Sequence, residues 1–186
     1  MSITNKDNSI INASELINRI NITNSTGSVL LSKIYGEDCL DNNIQLYGAF
    51  LTAVQLFVKD LSSNKSCAST QNHTLEEIRL QCCSFYIRHR DNFTITCLMP
   101  RSSLLLQEKN NKILNLLLDQ IMSNYLMFIN FSSEFHQNPE LLKEYSDDFS
   151  SSIDSFFQET LSPHLGPIDV TNNNDFQLYN IEDTVT

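Results

Sequence analysis

The chain has 186 residues, 41% of them apolar, enough for one ordinary hydrophobic core and too few to promise two. Its formal net charge of −10 opposes the counterion release that drives nucleic-acid binding, and also unassisted docking on an anionic membrane. No apolar run has membrane-spanning length: the longest, Ile113 to Phe131, is broken by Asn115, Asp119, Gln120, Ser123, Asn124 and Asn130.

Residues 1–15 read as a loose polar leader, with only Ile10 and Ile11 to bury and without the basic-then-apolar pattern of a secretory signal. Ile17, Ile20 and Ile22 then alternate weakly with polar residues, Asn24-Ser25-Thr26-Gly27 supplies turn chemistry, and Val29 to Tyr35 reads as a second strand. This predicts a β-hairpin with Gly27 at positive φ. A long block follows, with Asp41 or Asn42 as its cap and apolar residues at Leu46/Tyr47, Phe50/Leu51, Ala53/Val54, Phe57/Val58 and Leu61. The steps of three and four predict an amphipathic helix whose stripe is read as core-facing. Gly48 within it costs up to about 1 kcal/mol relative to Ala and lets another backbone come close.

Residues 62–74 read as a loop, after which the period changes to two. Leu75–Leu80, Cys82–Arg90 and Phe93–Met99 read as three strands, with Asp91-Asn92 as a hairpin turn and Pro100 ending the ladder. Leu75 to Arg90 could instead be one bent strand. Two helices follow. The first, from Glu108 to Phe131, aligns Ile113, Leu114, Leu117, Ile121, Tyr125, Leu126 and Ile129; the second starts at Pro139, carries Leu142, Tyr145, Phe149, Ile153, Phe156 and Leu161, and closes at Ser162-Pro163. Residues 162–186 are acidic, lack Lys and Arg, and read as a disordered tail, although Phe176, Leu178, Tyr179 and Ile181 could dock on the domain or on a partner.

Chemistry has few footholds. Four glycines cannot build a phosphate-binding loop, and His73, His89, His136 and His164 stand at no ligand spacing. The five cysteines, Cys39, Cys67, Cys82, Cys83 and Cys97, are odd in number and contain no C-x-x-C, so neither a disulfide framework nor a zinc site is expected. Reduced thiols in a cytosol fit that pattern. Cys83 or Cys97 beside His89 is the one conceivable nucleophile pair, and strand cysteines are more simply core residues. No catalytic residue, metal or cofactor is therefore expected. Seven N-x-S/T sites, at Asn12, Asn21, Asn24, Asn64, Asn72, Asn92 and Asn130, follow from the Asn and Ser bias of the chain. Arg79, Arg88 and Arg90, with His89 and Arg101, form the one basic concentration, a spot for an acidic partner or anionic ligand or, more simply, charges that keep a strand edge soluble.

The order strand, strand, helix, three strands, helix, helix resembles the longin domain of the roadblock/longin superfamily over Leu16 to Leu161. The hairpin Asn24 to Leu30 and the helix segment Leu46 to Val54 carry the likeness. The resemblance implies an α+β, longin/profilin-like fold: a five-stranded antiparallel sheet (β-β-α-β-β-β-α-α) with one helix on one face and two on the other. It also implies a non-catalytic cytoplasmic domain that pairs with a longin or roadblock partner, as a homo- or heterodimer, and binds or regulates a Ras-like small GTPase in membrane trafficking or signalling. Membranes would then be reached only through a partner. By that analogy the contact surface is the first helix and second strand, at Leu30, Ile34, Tyr35, Tyr47, Phe50 and Val54; as a core stripe, Phe50, Val54 and Phe57 would instead be buried. The leader, the acidic tail and the lack of a lipid-attachment motif depart from the pattern. A PAS- or GAF-like sensory module, which encloses a small ligand between sheet and helices, is the competing reading.

Overall fold

Ile20 and Ile22, both fully buried, mark the strand around which the sheet is assembled. The structure, a computed structural model, describes residues 10–37, 44–63, 76–90, 92–135, 139–171 and 175–178. Its elements are β1 (Ile11–Asn12), α1 (Ala13–Leu16), β2 (Arg19–Asn24), β3 (Val29–Ile34), α2 (Ile44–Ser63), β4 (Glu77–Arg79), β5 (Cys83–Arg90) and β6 (Phe93–Pro100). Then come two 3-10 turns, α3 (Asn111–Phe135), α4 (Pro139–Phe156), a π-helical turn Phe157–Leu161, α5 (Ser162–Leu165), β7 (Ile168–Asp169) and β8 (Asp175–Leu178). The fold is mixed α+β. Its main sheet is antiparallel in the order β4-β5-β6-β2-β3-β8, and β1 and β7 form a small parallel pair.

The sheet therefore has six strands rather than five. The extra one comes from the tail read as disordered: in β8, Asp175 to Leu178 alternate polar and apolar and pair with β3, placing Phe176 opposite Lys33. The leader also differs from a loose segment. Ala13 and Leu16 are buried, and the carboxylate of Glu15 accepts from the backbone of Asn12 in a capping box that fixes the single turn α1. Residues 1–9 and 179–186, the loop 64–75, and the proposed caps Asp41 and Asn42 lie outside the described residues.

The central hairpin follows its sequence. The Asn24 side chain accepts from the backbone N–H of Thr26 and Ser28 at 3.1 and 2.9 Å, and Gly27 has φ +86°. A bulge between Ile22 and Thr23 shifts the register, so that Leu30 and Leu31 both enter the main core. Strands β4 and β5 are separate, because the Leu80 N–H turns back to the Cys83 carbonyl at 2.9 Å. Ser162-Pro163 does not close the last helix. The π-helical turn resets the hydrogen-bond ladder, and Pro163 sits in the first turn of α5, where a missing N–H costs nothing.

The two faces of the sheet differ. On one, Ile20, Ile22, Leu31, Tyr86, Ile95, Cys97 and Met99 pack with Leu114, Leu117, Leu118, Ile121 and Tyr125 of α3 and Phe149 and Ile153 of α4. Each such buried side chain contributes about 1.5–3 kcal/mol. On the other, Leu51 of α2 joins Cys83, Phe85, Ile87 and Leu98 in a second, smaller cluster, and the Phe50 ring lies 6.5 Å from that of Phe85.

Candidate functional site

That second face is where the molecule departs from the ordinary pattern of apolar inside and polar outside. Among the described side chains of α2 the exposed ones are Ala49, Phe50, Ala53, Leu56, Phe57 and Asp60, a stripe at helical spacing that is apolar except for its last member. Phe50, Leu56 and Phe57 are 44%, 57% and 62% exposed. The positions turned inward include Gly48, Leu51, Thr52 and Gln55. Thus Phe57, expected in the core, stands outward, Phe50 is part exposed with its ring 6.5 Å from that of the buried Phe85, and polar residues stand beneath the helix.

The reason lies in the strands below. Asn21 on β2 is directly opposite Ser32 on β3 and Thr96 on β6, so the three side chains form one row across three strands. Thr96 is two residues from Leu98, which places the row on the α2 side of the sheet. All three residues are fully buried. Asn21 Oδ1 and Nδ2, Ser32 Oγ and Thr96 Oγ1 have no hydrogen-bond partner among the described residues. Each buried unpaired polar group costs about 1–3 kcal/mol. The next row toward the strand ends closes on itself: the Thr23 hydroxyl donates to the Thr94 carbonyl at 3.4 Å, and His89 Nδ1 lies 2.9 Å from Thr94 Oγ1. Beside that row a cleft of about 240 Å³ opens between α2 and the strand ends, lined by Ser25, Thr52, Gln55, Leu56, His89, Asn92, Phe93 and Thr94. Close packing pins α2 at one point, where a Cβ on Gly48 would run into the Gly27 carbonyl.

A charged cluster lies on the opposite face. The fully buried Lys33 ammonium donates to the Ser150 carbonyl and hydroxyl at 2.7 and 2.8 Å and to Asp154 at 2.8 Å. The Tyr35 hydroxyl donates to the other Asp154 oxygen at 2.9 Å, and the rings of Tyr35 and Phe176 face the ammonium at 5.5 and 6.0 Å. Burial lowers the Lys33 pKa, and the bond and charge of Asp154 offset this only in part. Burial, then the Asp154 charge, raises the Tyr35 pKa well above its ordinary value. Every group in this cluster has a partner, and its effect is to clamp α4 to β3.

The residues expected to form a contact surface are scattered. Leu30 and Tyr35 are buried core residues, Tyr35 packed on Phe157 with ring centroids 4.6 Å apart. Ile34 is half-buried at the end of β3, a strand flanked by β2 and β8 and so not a free edge. Phe50 is on the exposed stripe of α2, Val54 is half-buried beside it, and the side chain of Tyr47 lies outside the described residues. The basic spot is divided among partners: Arg79 binds Glu77 at 2.6 and 3.0 Å, Arg88 reaches Asp119 on α3 at 3.3 Å, and Arg90 donates to Ser123 at 2.7 Å. Arg88 and Arg90 thereby latch the β5–β6 hairpin to α3.

Neither thiol near the hairpin can work with His89. Cys97 lies on the opposite face of the sheet, fully buried, and burial pushes its pKa up. Cys83 is six residues from His89 along β5, about 20 Å. Among the described residues no group of His, Cys, Asp and Glu could hold a metal ion, and no helix is long and apolar enough to cross a membrane. Asn21 is buried in mid-sheet, so its N-x-T match arises from composition. Sequence reasoning missed the buried polar row, although the alternation Arg19, Asn21, Thr23 against Ile20, Ile22 is its signature. No family model matches the chain, and no curated protein matches it.

Proposed function

We propose that the chain is a non-catalytic interaction module, of longin-like architecture, that pairs with a longin or roadblock domain and binds or regulates a Ras-like small GTPase. The observation that carries this reading is the outward apolar stripe of α2. Phe50, Leu56 and Phe57 together present roughly 300 Å² of side-chain surface, the size of the largest apolar patch on a typical monomer, which is often functional. The order β2, β3, α2, β4, β5, β6, α3, α4 supports the architecture, as does the packing of α2 opposite α3 and α4. The test is solution mass by light scattering, for the chain alone and with small GTPases in nucleotide-free and GTP-loaded forms. A dimer, or a complex that depends on nucleotide state, is the expected result. A monomer indifferent to every GTPase would overturn the reading.

A further inference from the structure

We propose that the polar row Asn21, Ser32 and Thr96, together with the adjoining cleft, is a binding site for a small uncharged amide no larger than a single ring, with α2 as its cover. The row is built rather than incidental. Its three side chains are fully buried and in direct cross-strand register, and four of their polar atoms are unpartnered, whereas the neighbouring Thr23, Thr94 and His89 satisfy one another.

The chemistry of the row selects the ligand. A carboxamide flanked by two hydroxyls offers donors and acceptors along one edge, the complement of a primary or cyclic amide. Charge selects as well, since among the described residues the cleft lining contains no carboxylate, lysine or arginine, and His89 is its one titratable member. A cation on this face, Arg19, stands two residues beyond Asn21 along β2, on the side away from the cleft.

Access and size are consistent with this. Thr94, in the cleft, is two residues from Thr96 on the same strand and face, about 7 Å. A volume of about 240 Å³ accepts a ring beside Leu56, and because the row is fully buried and lines no part of the cleft, the amide reaches it when α2 lifts. Thr52 and Gln55 of α2 supply the polar roof. This inference does not require the partner-pairing reading, although Leu56 belongs both to the outward stripe and to the cleft.

The test uses the ¹⁵N-labelled full chain titrated with benzamide, with benzoate as the isosteric anion, followed through the Asn21 side-chain amide and the backbone amides of Ser32, Thr94 and Thr96. Saturable shifts confined to these groups are expected with benzamide and not with benzoate. The affinity should fall about tenfold in Asn21→Leu, the equivalent of leaving one hydrogen-bond pair unmade. If unchanged α3 and α4 amide shifts do not show that variant to be folded, the double variant Ser32→Ala/Thr96→Val carries the comparison. No saturable shift with benzamide, equal binding of benzoate, or an affinity unaffected by the substitutions would each overturn the proposal.

Discussion

Asp154→Asn and Lys33→Met, which break the same ion pair from opposite ends, should destabilise the protein very unequally. Asp154→Asn keeps the shape of the side chain but leaves a fully buried ammonium facing neutral acceptors only, and stranding one partner of a buried pair costs about 3–5 kcal/mol. Proton release sets the ceiling. Removing the proton from a lysine of ordinary pKa 10.5 at pH 7 costs about 5 kcal/mol, at about 1.36 kcal/mol per pH unit. Lys33→Met removes a charge whose burial already outweighs its pairing. The remaining Asp154 is 19% exposed and keeps the Tyr35 hydroxyl, so it hydrates, and the expected cost is about 1 kcal/mol or less. The pH dependence has a definite sign. With its pKa depressed on folding, Lys33 binds fewer protons folded than unfolded between the lowered value and 10.5, so stability rises with pH across that window and levels off above it. Lys33→Met lacks this rise. Urea unfolding followed by far-UV circular dichroism, at pH 7 and in steps up to 10.5, measures both effects. A Lys33→Met loss equal to that of Asp154→Asn, or a wild-type advantage over Lys33→Met that shrinks as pH rises, would refute the reasoning.

Three further outcomes follow from the packing. Gly48→Ala, which in an open helix would gain up to about 1 kcal/mol, should instead lose about 1–3 kcal/mol in thermal unfolding, because the new Cβ meets the Gly27 backbone carbonyl. The pair Leu56→Ser and Phe57→Ser should leave stability within about 0.5 kcal/mol per site, both side chains being mostly exposed, while abolishing any association seen by light scattering. Phe176→Ala should cost about 1–2 kcal/mol, part of the value for a fully buried ring, and deleting residues 172–186 should speed amide exchange along β3, whose outer edge β8 covers.

Most elements were legible in the sequence because their periods are unambiguous. Phe93 to Pro100 alternates over a full strand, and Asn24 to Gly27 can hardly be anything but a turn. The orientation of α2 was not legible, for a physical reason. Spacing locates a stripe on a helix but does not say which side meets the sheet, and Phe50, Ala53 and Phe57 look alike against a core or against solvent. What decides it is the polarity of the strands beneath, a non-local fact that appears only once Asn21, Ser32 and Thr96 come into register. The tail strand was hidden by composition, four alternating residues within an acidic, Asn-rich segment. The partners of Arg88 and Arg90 were hidden for a related reason, since Asp119 and Ser123 lie 31 and 33 residues away in sequence from the arginines they engage.

The arrangement of α2 also bears on how a partner would act. About 300 Å² of exposed apolar side chain is less than half of the roughly 800 Å² that each side of a standard interface contributes, so a stable pairing must recruit surface beyond the stripe. The strand ends beside Ser25, Asn92 and Phe93 border the same helix across the cleft and are the natural extension. A partner that gripped both α2 and these strand ends would hold the helix down over the polar row, and a ligand in the row would bias the position that the partner reads. Such coupling requires only that the helix have two seats of similar energy. Gly48 against Gly27 gives it a close contact on which to turn, and among the described residues its apolar contacts to the second cluster are Leu51 and the Phe50 ring, 6.5 Å from that of Phe85. Amide exchange of α2 measured with and without benzamide, in the monomer and in any complex, would therefore change together if the two faces are linked, and separately if the helix is fixed.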